Sequence, residues 1–317
     1  MDKNDAEYTS YKDNFIITSD KSIRYIKAPI EDSKGSMSRP AEHEFVIGRL
    51  YMSSPERFNL EDKLKELVNS DFTYTSPLED GKWEFVDREM LSINQKEDVL
   101  FARLVKQKDQ RTDLIVSSDR HLKAETSNRP YGNLYSAFII HFASHSIIFE
   151  ERKPDLQIDR FVKIIETMYR KYFKDLTVLT ITLQTEETEI LEFLRDKEVI
   201  QMTFSLKPSN PVDFTIFKPL DEGMKKDDVT NVTLTVRNKK GLKINGGGIA
   251  TSARAMGDAA YGHYSARYRD KDKGGFKTFY SRTKIVKEDV KRGKTVDEFV
   301  NNILTAFGKY LKTSDKK

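Results

Sequence analysis

The apolar positions in the first half of the chain predict β-strands with one helix among them. EFVIGRLYM (44–52) has the continuous apolar run of a buried strand, and KWEFVDRE and DVLFARLVK have the pattern of neighbouring strands. Before these two, NLEDKLKELVNS (59–70) carries its leucines at helical spacing. The polar stretch 117–133 has too few apolar residues for a core element, so we expect a connector there.

The second half alternates between strand and helix patterns. LYSAFIIHF and HSIIFEERK predict a β-hairpin, and residues 157–173 predict an amphipathic helix with its apolar side chains on one stripe. Further strands and helices are predicted, in order, at LTVLTITLQ, EETEILEFLRD, VIQMTFSLK, 213–225 and NVTLTVRN. The chain closes with a helix near 249–261, two strands in YGHYSARYRD and FKTFYSRTKI, and the helix VDEFVNNILTAFGKYL.

These patterns predict an α+β protein. Its N-terminal half is β-rich, and its C-terminal half is mixed α/β and ends in a basic β-ribbon and helix. We expect a β-rich domain over 1–133 and an α/β domain over 134–317, with the nucleic-acid-binding end at the C-terminus. Residues 1–43 are polar, and their two short candidate strands are expected to form a loose arm or an edge hairpin.

Composition narrows the function classes. The chain has no cysteine, which excludes disulfides, thiolate zinc sites and a cysteine nucleophile. No run approaches the roughly 18 apolar residues of a membrane-spanning helix, and the polar N-terminus lacks the apolar core of a signal peptide. We therefore expect a cytoplasmic protein without a membrane partner.

Charge is unevenly distributed along the chain. Residues 231–317 carry 20 Lys and Arg against 8 Asp and Glu, a net charge of +12, whereas residues 1–230 carry 34 against 42, a net charge of −8. A basic end of this kind indicates a polyanionic partner, although an acidic face on another subunit would serve equally well.

The basic end has an alternation that places its charges on one side of a strand. In YGHYSARYRD, His263, Arg267 and Arg269 share one face, while Tyr264 and Tyr268 share the other. With the next strand this predicts a ribbon that follows a phosphate backbone, with aromatic rings that support it or stack on bases. An ordinary amphipathic hairpin with exposed charges is the alternative. The candidate nucleic-acid contacts are Lys243, Asn245, Arg254, His263, Arg267, Arg269, Lys277, Arg282 and Lys284.

The segment KINGGGIATSARAMG (243–257) combines a glycine turn with a candidate helix start. It lacks the Lys-Ser/Thr pair of a P-loop and the G-x-G-x-x-G spacing of a dinucleotide loop. Unpaired amides at a helix N-terminus attract anions, so a nucleic-acid phosphate would fit there. A flexible connector whose glycines adopt positive φ is the alternative.

Two further patterns bear on metal chemistry. His141 and His145 are four residues apart, but they bracket a predicted turn and no H-E-x-x-H glutamate lies between them. We therefore expect no metal and no other cofactor. Glu151 and Lys153 form an E-x-K pattern at the end of a strand, as in metal-dependent nucleases in which a carboxylate holds Mg²⁺.

The C-terminal half resembles an uncharacterised bacterial domain-of-unknown-function family whose members occur near mobile-element and phage-defence genes. The resemblance covers Tyr135 to Phe307 and rests on the order of elements, including NVTLTVRNKKGLKINGGGIATSARAMGDAAYGHYSARYRD. The segment VTLTVRNKKG…HYSARYRDKDKGGFKTFYSRTKI is also similar to the end of the phage-exclusion protein RexA, which binds DNA. These resemblances imply a role in anti-phage defence and supply no catalytic residues.

We expect non-catalytic, largely sequence-independent binding of nucleic acid, and of DNA in particular. A homo-oligomer and a protein partner from the same operon are further expectations. Two alternatives stay open. One is a Mg²⁺-dependent nuclease that uses Glu151 and Lys153, and the other is a protein-interaction subunit that assembles a defence complex through its acidic and basic poles.

Overall fold

The computed structural model describes residues 42–311, apart from 54–58, 78–80, 94–96, 109–110, 117–121, 128–130, 175–176, 210–216, 245 and 271–273. These residues belong to one compact unit, Pro40–Lys317. The two short strands predicted near the N-terminus lie outside the described part of the chain.

The predicted α+β class, with a β-rich first half and a mixed second half, is confirmed. The first half contains β1 (Glu42–Ser53), α1 (Leu60–Asn69), β2 (Tyr74–Thr75), β3 (Lys82–Ile93), β4 (Glu97–Lys108), β5 (Arg111–Val116), β6 (Leu122–Ser127), β7 (Tyr131–His141) and β8 (Ser146–Glu150). The second half contains α2 (Ile158–Phe173), β9 (Val178–Leu183), α3 (Glu187–Arg195), β10 (Glu198–Leu206), α4 (Lys218–Lys226), β11 (Val232–Arg237), α5 (Ile249–Asp258), β12 (Gly262–Arg269), β13 (Phe276–Tyr280), a 3-10 helix (Ser281–Thr283), β14 (Lys287–Lys291) and α6 (Val296–Phe307). No helix in the described part of the chain has the length and apolar character needed to cross a membrane.

The larger of the two main sheets has eight antiparallel strands. Its order is β14-β1-β8-β7-β4-β3-β2, and β9 also pairs with β1. β1 is long enough to pair with β14 along its first residues, with β9 along its last residues and with β8 along its other edge. Gly48 lies where β1 passes β9, and a Cβ at this position would lie 3.0 Å from the Thr182 carbonyl oxygen. A glycine here therefore allows the two backbones to approach closely.

Both faces of the large sheet are apolar. Val46 of β1 packs in the cluster that contains α1 and α2, whereas its neighbours Phe45 and Ile47 pack in the cluster that contains α6. A strand that is buried on both faces has a continuous apolar run, which is the pattern that predicts β1 from the sequence.

Helix α2 packs through the apolar stripe that the sequence predicts. Phe161, Ile165 and Met168 are buried, and the Phe161 ring stacks on Phe149 of β8 with 4.1 Å between ring centroids. Each fully buried side chain of this size contributes roughly 1.5–3 kcal/mol to folding. The prediction of a helix over 157–173 is confirmed.

A smaller sheet of four strands, in the order β11-β10-β12-β13, positions the candidate functional residues. Its inner face is apolar, since Met202 and Phe204 of β10 and Tyr264 and Ala266 of β12 pack in one cluster with α3, α4 and α5. The alternate residues of these strands point the other way, so this sheet has one buried face and one open face.

Two strands differ from the sequence-based expectation. The expected connector at 117–133 contains β6, whose backbone pairs with β5 to form a two-stranded sheet. The expectation is wrong because a hairpin pairs through its backbone and does not require the apolar content of a core strand. β14, with the sequence KEDVK, is not predicted as a separate strand, and it pairs with β1 at the edge of the large sheet. Charged side chains are typical of an edge strand.

The large sheet is continuous across the predicted domain boundary between residues 133 and 134. β4 lies before this boundary and pairs with β7, which spans it. β1 pairs with β8, β9 and β14, all of which lie after it.

Candidate nucleic-acid interface

The open face of the small sheet is formed by the outward-pointing residues of its four strands. Register places them side by side: Thr203 of β10 lies between Thr235 of β11 and Ser265 of β12, and Ser265 lies beside Tyr280 of β13. The open face consists of Gln201, Thr203, Ser205, Thr233, Thr235, Arg237, His263, Ser265, Arg267, Arg269, Phe276, Thr278 and Tyr280. The helices that contribute to the small-sheet cluster, α3, α4 and α5, pack against the opposite face.

Two aromatic rings are exposed on the β13 side of the open face. The exposed fraction is 49% for Phe276 and 58% for Tyr280, and strand geometry separates the two residues by about 13 Å. The guanidinium carbon of Arg267 lies 4.8 Å from the Phe276 ring centroid, and that of Arg269 lies 5.9 Å from it. Exposed rings beside arginines form a surface on which unpaired bases can stack.

The inward-pointing residues of β12 support the open face from below. Tyr264 and Tyr268 are buried, and Phe193 of α3 contacts Tyr268 edge-on with 5.7 Å between ring centroids. The alternation predicted from the sequence therefore matches the burial pattern of β12. These two tyrosines pack in the core, whereas Tyr280, the third of the predicted tyrosines, is exposed.

Three of the predicted contact residues form ion pairs at the surface. Arg269 pairs with Glu198 at 3.1 Å, Lys284 pairs with Glu189 at 2.9 Å, and Lys277 pairs with Asp270. The side chains of the three cations are between 44% and 49% exposed. Exposed ion pairs stabilise a protein by about 0–1 kcal/mol, so a phosphate can replace the carboxylate partners of Arg269 and Lys284 at little cost. The side chain of Asp270 is only 9% exposed, so Lys277 is less readily released from its pair. Arg267 has no carboxylate partner among the described residues.

Lys243 precedes the glycine turn and Arg254 belongs to α5, whereas His263 belongs to β12 and Arg282 to the 3-10 helix. Lys243 is exposed, and Asn245 is outside the described residues. Arg254 is only 5% exposed, and its Nη1 donates hydrogen bonds to Asp258 at 2.6 Å and to Glu187 at 3.1 Å. The guanidinium of Arg254 is therefore engaged inside the protein and is not part of the open face.

The predicted helix after the glycine turn is present. Gly247 has a φ of 73°, and α5 begins at Ile249. The Thr251 hydroxyl donates a hydrogen bond of 3.1 Å to the Ile244 carbonyl, which closes the turn onto the first turn of the helix. Gly247 therefore has a backbone conformation that residues other than glycine rarely adopt.

Lys207, which sequence reasoning does not identify, lies at the end of β10 beside the open face. Its amide donates to the Tyr261 carbonyl at 2.8 Å, and its Nζ lies 5.3 Å from the centroid of the Tyr51 ring. Burial, opposed by Glu166 and reinforced by Arg282, lowers the pKa of Lys207 to about 8. A lysine with this pKa still carries its charge for most of the time at neutral pH.

A second cluster of charged residues joins the start of β1 to the end of β8. Lys287 Nζ lies 2.7 Å from Glu44 and 2.6 Å from Glu151, while Lys153 Nζ lies 3.1 Å and 3.3 Å from the same two carboxylates. Hydrogen bonding to Glu151, then to Lys287 and Lys153, lowers the pKa of Glu44 to about 2 against the opposing effect of burial. The E-x-K pattern thus acquires a second carboxylate from a neighbouring strand.

This second cluster borders a cavity of about 320 Å³. The cavity is lined by His43, Glu44, Glu150, Glu151, Arg152 and Lys153. Glu150 is 2% exposed and pairs with His43 and, at 2.8 Å, with Arg152. Within the described ranges, no group of three or more His, Asp or Glu side chains is arranged to hold a metal ion.

Of the two histidines four residues apart, His141 ends β7 and His145 lies in the turn between β7 and β8. His141 is buried, and its Nδ1 lies 2.7 Å from the Ser144 hydroxyl. Burial, followed by repulsion from Arg49, lowers the pKa of His145. The His141 imidazole is thus held by the hydrogen bonds of the turn itself.

These features define an α+β protein whose small sheet presents a basic face with exposed aromatic rings. Residues 109–310 match the model of the family described as Domain of unknown function (DUF4747). The chain belongs to this family, which confirms the resemblance of its C-terminal half to a family of unknown function. No curated protein matches the chain.

Proposed function

We propose that this protein binds nucleic acid, without catalysis and largely independently of sequence, on the open face of its small sheet. The observation that carries the proposal is the juxtaposition of exposed rings and arginines on one polar sheet face. Arg267 and Arg269 would contact phosphates, and Phe276 and Tyr280 would stack on bases.

The shape of the open face favours a single strand. Exposed rings on a sheet face can stack on the faces of unpaired bases, whereas a base within a duplex has both of its faces covered by its neighbours. The hydroxyl groups of Thr235 on β11, Thr203 on β10 and Ser265 on β12 form a row across the open face, where they can donate to phosphate oxygens. We propose DNA as the ligand because of the likeness to RexA.

The cellular setting is also a proposal. We infer that the protein acts in the bacterial cytoplasm, in anti-phage defence, as a homo-oligomer with a protein partner from the same operon. The support is the resemblance of the C-terminal half to a family found near phage-defence genes, together with the basic pole of residues 231–317.

The proposal is tested by fluorescence anisotropy with a labelled single-stranded oligonucleotide, the matching duplex and RNA, each at several salt concentrations. We expect the single strand to bind more tightly than the duplex. The logarithm of its affinity should fall with the logarithm of salt concentration by about 0.7 for each phosphate contact.

Variants of the open face locate the site. The double change Arg267→Gln and Arg269→Gln should reduce the salt slope by about 1.4, and Tyr280→Ala should weaken binding roughly 5- to 100-fold. Matched controls are Arg195→Gln, an exposed arginine at the end of α3, and Tyr135→Ala, a tyrosine of the large sheet that is 37% exposed. Affinity that is equal in all of these variants would exclude the open face as the binding site.

The cavity beside Glu151 favours a second candidate function, a Mg²⁺-dependent nuclease. Glu44 supplies the additional carboxylate that a metal site at the E-x-K pattern requires, and Lys153 lies within reach of both carboxylates. Mg²⁺ would have to displace Lys287 from its position between Glu44 and Glu151.

Cleavage products on the same gels as the binding reactions distinguish this candidate. A nuclease would degrade the oligonucleotide only with Mg²⁺, and Glu151→Gln would abolish the cleavage, whereas Glu192→Gln, an exposed glutamate of α3, would not. Intact oligonucleotide in the presence of Mg²⁺ excludes the nuclease. A protein-interaction subunit would instead show negligible nucleic-acid affinity and a mass in solution that falls with salt.

A further inference from the structure

Lys207, His263 and Arg282 converge at one end of the open face. Ser205 of β10 pairs with His263 of β12, and Lys207 follows Ser205 on the same side of the strand. The Lys207 amide donates to the Tyr261 carbonyl, which keeps Lys207 in register beside β12. The two basic side chains are therefore neighbours across the strand pair.

Arg282 completes the cluster from the 3-10 helix that follows β13. Its Nη2 lies 3.2 Å from His263 Nδ1. A guanidinium can only donate a hydrogen bond, so Nδ1 accepts and the proton of a neutral His263 is on Nε2. The imidazole therefore keeps one N–H group that can donate to a ligand.

The cluster is short of negative charge. Burial, then repulsion from Arg282 and Lys207, lowers the pKa of His263. The carboxylate that acts on Lys207 is Glu166 of α2. Glu166 already accepts a hydrogen bond of 2.8 Å from the Ile181 amide, and burial raises its pKa. Folding therefore holds the positive charges of Lys207 and Arg282 close to each other, which is unfavourable. A bound anion would offset this repulsion.

We propose that Lys207, His263 and Arg282 form a binding site for one phosphate group at the end of the open face. Arginine presents a planar fork of N–H donors to phosphate oxygens, lysine adds a compact charge, and the imidazole adds one directed donor. If the phosphate belongs to a bound nucleic-acid strand, this site is part of the proposed interface and rests on the proposed function. A free phosphate ion has the same chemistry and is the other source.

The site itself is tested with inorganic phosphate on the complete protein. The pKa of His263, followed by NMR in a buffer free of phosphate, should rise when phosphate is added and should not rise with chloride at equal ionic strength. Lys207→Met keeps the side-chain length and removes the charge, so it should weaken this response at least tenfold. The control Lys171→Met changes an exposed lysine on α2 and should leave the response unchanged.

The source of the phosphate is tested with the oligonucleotide. If the site holds a phosphate of the strand, Lys207→Met weakens single-strand binding roughly tenfold and reduces the salt slope by about 0.7, and Lys171→Met does neither. If Lys207→Met leaves the strand affinity unchanged but abolishes the response to inorganic phosphate, the site is supported and its ligand is free phosphate.

Two results separate this inference from the proposed function. If inorganic phosphate has no more effect than chloride and Lys207→Met leaves strand affinity unchanged, the phosphate site is overturned while binding on the open face stands. If phosphate raises the pKa of His263 but no oligonucleotide binds, the phosphate site stands and the proposed function is overturned. An equal loss in Lys207→Met and Lys171→Met also overturns the site, because the effect would then be one of general charge.

Discussion

The Tyr264 hydroxyl donates a hydrogen bond of 2.8 Å to Asp258 Oδ1, beneath the strand that carries the open face. Thr185, which follows β9, donates to the same oxygen at 3.2 Å, and Arg254 donates to Oδ2 at 2.6 Å. The carboxylate of Asp258 is 3% exposed and thus links α5, β12 and the chain segment after β9. Hydrogen bonds to a buried charged group are worth about 1.5–3 kcal/mol each.

Removal of the Tyr264 hydroxyl should therefore destabilise the protein by an amount that depends on pH. We expect Tyr264→Phe to lower the free energy of unfolding by about 2 kcal/mol at pH 7, where Asp258 is ionised. The loss should be smaller near pH 4, where the carboxyl group is protonated. Urea unfolding at the two pH values measures the difference, and a loss that is equal at both would contradict an ionised acceptor.

We expect the free energy of unfolding to depend on pH through the ionisation of Asp258. Burial raises its pKa from 3.8 to about 6, although Arg254 and Tyr264 act in the opposite direction. Because the folded pKa is the higher one, the stabilising contribution is complete below about pH 4 and is lost as the pH rises through 6. The wild-type protein should thus lose up to about 3 kcal/mol across this window relative to Asp258→Asn.

The comparison of the wild-type protein with Asp258→Asn removes the contribution of other titrating groups to the pH dependence of stability. Glu84 and Glu166 also have pKa values raised by burial, so the wild-type curve alone does not isolate Asp258. These groups titrate in both proteins and cancel in the difference. A difference between wild type and Asp258→Asn that stays constant from pH 4 to pH 6 would show that the Asp258 pKa is not raised.

The sequence predicts most of the secondary structure because burial is strongly patterned. The alternation in β12 separates Arg267 and His263 from Tyr264, and the apolar stripe of α2 identifies its buried face. Each pattern can bury its apolar side chains on one face in only one type of secondary structure, a strand for period two and a helix for a period of about 3.6. β14 has no such pattern. Its charged residues become a strand because the edge of β1 is available to pair with them.

The candidate site is only partly predictable. The burial of Arg254 has a signal in the sequence, because it lies four residues after Ala250 and three before Gly257, on the stripe of small residues by which α5 packs. Lys207 has no local signal. Its surroundings come from β12, from the 3-10 helix and from Glu166 of α2, which are distant in sequence and meet only in the folded chain.

Gly262 begins β12 and should not tolerate a side chain. A Cβ at this position would lie 2.1 Å from the Ser205 carbonyl oxygen and 3.0 Å from the Leu206 Cα. Both contacts are with the backbone of β10, which cannot move without breaking the β10–β12 ladder. We expect Gly262→Ala to destabilise the protein by at least about 3 kcal/mol in urea unfolding.

Gly223 provides the matched control for this substitution. It lies inside α4, and a Cβ there would meet no atom within 4 Å. Gly223→Ala should therefore stabilise the protein by about 0.5–1 kcal/mol, because alanine restricts the unfolded chain without strain in the helix. Similar losses in both variants would show that the close approach at Gly262 is not the cause.

Lys287 should stabilise the second cluster in a pH-dependent way. It lies between Glu44 and Glu151, so Lys287→Met would leave two neighbouring carboxylates with Lys153 as the remaining lysine of the cluster. We expect a loss of about 2 kcal/mol at pH 7, since the Glu151 side chain is only 5% exposed. Lys309→Met, which removes one ion pair of a lysine that is 63% exposed, should cost less than about 1 kcal/mol.

The pH dependence of the Lys287→Met effect follows from the pKa of Glu44. Contact with Glu151 and the two lysines lowers that pKa to about 2 from 4.5, so the stabilising contribution is present above pH 4.5 and is lost as the pH falls through 2. The difference in unfolding free energy between wild type and Lys287→Met should therefore be largest near pH 7 and should narrow below pH 4.5. A difference that stays constant on acidification would mean that Lys287 acts through packing of its methylene chain and not through the two carboxylates.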